Sequence, residues 1–128
     1  MHSIATYPPP AGCAFLTAEC DPTTLFLPEM FDQEDRFLVD STTSFMQGEV
    51  LTKMDGIQDK EPGLMQKLFS QAGELGLMGI EIPEAYGGLG LAKSTASRIA
   101  ESIAMEPSFA VGHNVHTSVA ILPLLMFG

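Results

Sequence analysis

A chain of 128 residues has room for one domain with its own core. Hydrophobic residues make up 45% and charged residues 17%, which excludes a disordered acidic polymer. The formal charge of −10, from 16 acids against 6 bases, opposes a nucleic-acid backbone and an anionic membrane surface, since both need clustered bases.

Residues 1–27 are rich in proline, threonine and small side chains and show no periodicity, so they read as a flexible leader. Met1 to Pro10 contains no basic start and no uninterrupted apolar run, hence no evident signal peptide, and a cytoplasmic location is the expectation. Cys13 and Cys20 lack the CxxC spacing of a zinc site or a disulfide framework. They read as free thiols, with a local disulfide as the alternative.

From about residue 29 the pattern becomes helical. Asp32 is the expected N-cap of a first helix running to about Glu49, with Gln33-Glu34-Asp35 placing negative charge where the helix dipole favours it. Its apolar residues, Phe37, Leu38, Phe45, Met46 and Val50, are loosely spaced, and Thr42-Thr43 lowers the helix propensity. A second helix follows Pro62. Leu64, Met65, Leu68, Phe69, Ala72 and Leu75 form one face, and Gln66, Lys67, Ser70, Gln71 and Glu74 the other. Gly76 stands where a left-handed cap would end it.

Leu77 to Pro83 reads as a short extended connection, and Ala85 to Gly90 as a glycine loop. That loop lacks the Lys-Ser/Thr of a P-loop and the strand context of GxGxxG, so a phosphate cradle is a weak reading. A third helix, about Ser94 to Met105, carries the stripe Ala96, Ile99, Ala100, Ile103 and Ala104, whose small side chains allow close helix approach. A fourth begins after Pro107 with Ser108 as the expected N-cap. Val111, Val115, Val119 and Leu122 form one of its faces, and His113, His116, Thr117 and Ala120 the other.

The stretch Phe109 to Gly128 carries no formal charge. Its histidines, Asn114, Thr117, Ser118 and Pro123, with no basic flank, favour a soluble helix buried all round over a membrane span. Three preceding helices would not enclose it. The apolar run Leu124 to Phe127 before Gly128 therefore leads us to expect a partner or further C-terminal sequence. His113 and His116 are spaced as a possible metal pair, but no third ligand is visible, so a hydrogen-bonded interior histidine is the better reading. Glu81 and Glu84, on either side of Pro83, read as solvated rather than as an acid–base pair.

One ordered set of strings is more specific. Gly73-Glu74-Leu75-Gly76-Leu77-Met78-Gly79-Ile80 is followed by Ile82-Pro83-Glu84-Ala85-Tyr86-Gly87-Gly88-Leu89-Gly90-Leu91. Then come Ile99-Ala100-Glu101, Pro107-Ser108-Phe109-Ala110, His116-Thr117 and Pro123 to Gly128. Together they resemble the N-terminal helical domain of the acyl-CoA dehydrogenases over about residues 29–128. Asp21-Pro22-Thr23 to Pro28-Glu29 and the His-Thr pair lean toward a long-chain-like branch. Glu101-Ser102, where the family often has paired glutamates, and Glu106, where an aspartate is common, depart from the pattern at positions that look structural.

The resemblance implies an all-α fold, a four-to-five-helix up-and-down-like array over residues 28–128 after the 1–27 leader. It implies a parent enzyme that binds FAD and removes the α-proton and β-hydride of an acyl-CoA thioester in fatty-acid metabolism. The family's catalytic glutamate lies in a C-terminal helical domain and most flavin contacts in a middle β-domain. This chain contains neither, so no catalytic, cofactor-binding or metal residue is assigned to it, and alone it is expected to bind no FAD and to be inactive. What does carry over is the acyl-chain pocket, at Gly112, Val115, His116 and Val119. Valines at this spacing equally suit a helix core. A homo-oligomer is expected. The alternatives are a non-catalytic helical module binding a partner or lipid, and the N-terminal domain of a related flavin monooxygenase.

Overall fold

The computed structural model describes Thr23 and residues 27–128. The leader, with Cys13, Cys20 and Asp21-Pro22, falls outside the described residues apart from Thr23 and Leu27. Residues 1–30 form a unit of their own, in which Pro28–Met30 is a single 3-10 turn closed by the Met30 N–H donating to the Leu27 carbonyl (2.9 Å). Residues 31–128 form the second unit, and it is all-helical, as expected, with no strand among the described residues.

Asp32 caps α1 (Gln33–Phe45), its carboxylate accepting from the Asp35 N–H at 2.9 Å. The helix does not run unbroken to Glu49. Met46–Val50 is a π turn, Leu51–Lys53 a 3-10 turn, and α2 (Met54–Gln58) closes the rod. The wider turn is marked by the Leu51 N–H reaching back to the Met46 carbonyl. Met46 and Val50, four apart at the two ends of this turn, are both fully buried. Phe37, expected on the apolar face, is 72% exposed.

In α3 (Leu64–Glu74), Leu68 and Ala72 are buried and Leu64, Met65 and Phe69 half-buried, while Leu75 at the end of the stripe is exposed. Gly76 has φ +79°, the left-handed conformation expected of it. The following segment is not extended. Turns at 76–79 and 79–82 fold it back, because Leu77 and Ile80, three apart, both enter the core.

Helix α4 (Lys93–Ile103) buries Thr95, Ile99, Ser102 and Ile103, whereas Ala100 and Ala104 of the expected stripe are exposed. The buried face turns toward α1 and is partly polar. Thr95 Oγ1 donates to the Asp35 carboxylate at 2.7 Å, and the Thr43 and Ser102 hydroxyls meet at 3.2 Å, so polar groups of the two helices satisfy each other where they meet.

Helix α5 (Pro107–Asn114) is capped by Glu106 and not by Ser108. The buried Glu106 carboxylate accepts from the Phe109 N–H, and Pro107 occupies the first helical position, where its missing N–H costs nothing. A π turn (Val115–Ala120) and α6 (Ile121–Phe127) continue it as one rod of 21 residues. By length and composition this rod could cross a membrane, yet Phe109 and His113 of its first half are docked in the domain core. It is not buried all round, for Val111, Val115 and Val119 are 65%, 49% and 66% exposed. The earlier helices cover one side of it only.

The core joins Phe45, Met46, Val50, Ile57, Leu68, Leu77, Ile80, Ile99, Ile103 and Phe109. Phe109 is its centre, stacked on Phe69 (4.8 Å between ring centroids) and tilted against Phe45 (6.0 Å).

Candidate functional site

Gly112, Val115, His116 and Val119 recur at steps of three and four along the rod, which sets them in one row. The structure divides that row. Val115, His116 and Val119 are exposed, whereas Gly112 is half-buried against α3. A Cβ built at Gly112 would overlap Phe69 Cζ and lie 3.1 Å from its Cε2. The glycine is therefore what allows α5 to settle on the Phe69 ring.

His113 stands apart from His116. Its imidazole is buried and lies 2.8 Å from the Leu77 carbonyl through Nε2. A carbonyl can only accept, so Nε2 carries the proton and donates. Burial holds this imidazole below its ordinary pKa, the Leu77 bond opposes that shift, and the charge of nearby His116 adds to it. With one histidine bonded inside and the other exposed, the pair does not converge on a metal. Among the described residues no group of three His, Cys, Asp or Glu side chains is placed to hold one.

The glycine loop is no phosphate cradle. The N–H of Gly87 donates to the Glu84 carbonyl, Gly88 to Pro83, Leu89 to Gly79 and Gly90 to Ile82, so four successive amides are spent inside the loop. Gly88 is obligatory there, since a Cβ on it would collide with the Ile82 carbonyl. Glu81 is not simply solvated as expected, for Lys93 Nζ pairs with it at 2.8 Å. Glu84 is exposed.

Two surface cavities lie elsewhere. One of about 600 Å³ sits between the Thr52–Gly56 turn and the start of α3, among Lys53, Asp55, Glu61 and Lys67. The other, about 380 Å³, has Phe37, Leu38, Leu75, Leu89 and Leu91 with Glu34, Asp35 and Glu84 around it. Neither includes the row on the rod. That row is a ridge in this chain, able to become a wall only against something facing it. Reading the sequence missed two residues that position the ridge, Glu106 as the cap of α5 and Phe69 as the surface beneath Gly112. The first was signalled by an acid directly before Pro107, and the second by nothing local.

A model of the family described as acyl-CoA dehydrogenase, N-terminal domain, matches residues 32–128. A probable acyl-CoA dehydrogenase of Bacillus subtilis (strain 168) is 32% identical over 117 residues, covering 91% of this chain and 20% of the relative. An acyl-CoA dehydrogenase of the same organism is 38% identical over 79 residues, 56% of this chain and 19% of the relative. Among solved structures, the acyl-CoA dehydrogenase from Bacillus anthracis complexed with FAD has a TM-score of 0.84 and 36% identity, over 90% of this chain and 20% of that one. The chain thus spans about a fifth of the length of these relatives. Over nearly all of its described length it is this one helical domain, and it belongs to the acyl-CoA dehydrogenase N-terminal domain family.

Proposed function

We propose that this chain works as the acyl-facing helical part of an FAD-dependent acyl-CoA dehydrogenase, in which Val115, His116 and Val119, next to Gly112, form one wall of the pocket for the fatty chain. The observation that carries this is the inversion on the rod, where a histidine is buried and three valines on another side are bare. Hydrophobic burial alone would have chosen the opposite rotation. A bare, uncharged apolar ridge suits a hydrocarbon, which is held by shape and loss of water rather than by hydrogen bonds.

The loop amides of residues 87–90 are already engaged, so this chain offers no cradle there for the flavin phosphates. Its own contribution is to shape the acyl groove and exclude water from it. The likeness to an FAD-complexed dehydrogenase supports flavin binding by the assembled enzyme. The same likenesses favour the dehydrogenase over a stand-alone module or a flavin monooxygenase. A long-chain-like specificity, resting on Asp21-Pro22-Thr23 to Pro28-Glu29 and the His116-Thr117 pair, belongs to this proposal, as do a role in fatty-acid metabolism and a cytoplasmic setting.

The test is Val115→Phe in a complete dehydrogenase carrying this domain. A ring added on the groove side blocks long acyl chains and spares short ones. A mere change of surface would leave the chain-length profile flat, and that result would remove Val115 from the pocket.

A further inference from the structure

The row on the rod has a gap at Gly112, which has no side chain. Phe69 of α3 fills it. The ring meets Gly112 end-on, its Cζ overlapping the place a Cβ would take, with Cε2 and Cε1 at 3.1 and 3.5 Å from that point. Stacking on the buried Phe109 holds the ring from behind at 4.8 Å and 21° between planes. Phe69 is itself only half-buried, so part of it remains uncovered by this chain. The azimuth of position 112 on the helix falls between those of Val115 and His116, both exposed.

We propose that Phe69 is a fifth member of the acyl-facing row and forms the stop at its Gly112 end, limiting the length of chain the groove accepts. This rests on the reading of the row as a pocket wall and names the residue that sets its depth. A flat ring with two torsions, backed by a second ring, does not yield as an aliphatic side chain does. Gly112 is then required because the stop occupies the space a side chain there would fill. A methylene without room in such a groove changes selectivity by about tenfold or more.

The experiment compares Phe69→Leu with Val115→Phe in the complete dehydrogenase, measuring kcat/KM over straight-chain acyl-CoA thioesters from short to long. Phe69→Leu is expected to raise the long-to-short ratio by about tenfold, and Val115→Phe to lower it. Because the ratio compares substrates on one preparation, a general loss of stability does not move it. If Val115→Phe shifts the ratio and Phe69→Leu leaves it flat, Phe69 is only core packing and the inference falls alone. If neither shifts it, the pocket reading falls and takes the inference with it. Should Phe69→Leu fail to fold, Phe69→Met keeps the bulk but yields, and it is expected to move the ratio in the same direction. Gly112→Ala crowds the ring and is expected to lower long-chain turnover selectively, and adding Phe69→Leu to it should restore that turnover. A double variant as impaired as Gly112→Ala alone would overturn the contact on which the stop depends.

Discussion

The two sides of the α5–α6 rod have been given opposite fates by the same fold. One side sends Phe109 and His113 into the core, and the other leaves Val111, Val115 and Val119 bare. Hydrophobicity did not decide between them, because the polar imidazole is inside and the valines are outside. What decided was local geometry, with Phe109 filling the space between Phe45 and Phe69 and the Leu77 carbonyl offering His113 the acceptor that makes its burial affordable. A bare apolar ridge opposite a docked face is the kind of surface that ligands or partners cover in other proteins.

The contrast should be largest at its two ends. Phe109→Ala removes the ring shared by both aromatic contacts and is expected to cost about 3–5 kcal/mol in chemical denaturation. Val111→Ala, on the bare side of the same helix, should stay within about 0.5 kcal/mol. Equal losses at the two positions would mean that the sides are not distinct.

His113 gives the next effect, and it depends on pH. The buried imidazole favours its neutral form, so its folded pKa lies below the ordinary value of about 6.5. Above that value neither folded nor unfolded chain is protonated there, and the contribution is fully present. As pH falls below about 6.5 the unfolded chain takes up the proton first, so stability is lost until the folded pKa is passed. Denaturation midpoints should therefore fall more steeply below pH 6.5 in the native chain than in His113→Gln. At neutral pH the variant should be less stable by about 1–3 kcal/mol, because the Leu77 carbonyl loses a well-placed donor. A variant with an unchanged acid limb would show that His113 is not the group that titrates.

Smaller again is the cap. Glu106→Ala is expected to cost about 1 kcal/mol, since the Phe109 N–H it satisfies is one of the orphan donors in the first turn of α5. Ser108→Ala should cost almost nothing. The reverse order would restore the cap that reading the sequence alone selects.

That exchange of caps shows what was legible. Asp32, the stripe of α3 and the left-handed Gly76 follow from rules acting within one turn, and each could be read directly. The segment from Gly76 to Leu91 could not. Its shape depends on bonds such as Leu89 to Gly79 and Leu91 to Ile80, between residues about ten apart that no local pattern pairs. The π turns at Met46–Val50 and Val115–Ala120 were equally hidden, because no local residue pattern marks where a helix widens by one residue. For the candidate site, periodicity placed Val115 and Val119 in one row but left open whether the core would cover it. Phe69 could be placed on the apolar face of α3, but its contact with Gly112, two helices away, could not.

A small expected effect on stability accompanies the most direct probe of the bare side. Val119→Asp puts a charge on a position that is 66% exposed, so unfolding should change by no more than about 0.5 kcal/mol. Its consequence should appear between molecules. An uncharged ridge that includes Val111, Val115 and Val119, and extends toward the exposed Leu124, Met126 and Phe127, gives copies of this chain a reason to associate. A carboxylate at its middle would have to lose water without a partner in any such contact, a cost that weak association does not repay. Light scattering across a concentration series is thus expected to show the native chain associating and Val119→Asp shifted toward monomer, with matching denaturation curves. If both remain monomeric at high concentration, the ridge is not sticky enough to drive self-contact. If both associate alike, the contact lies on another surface.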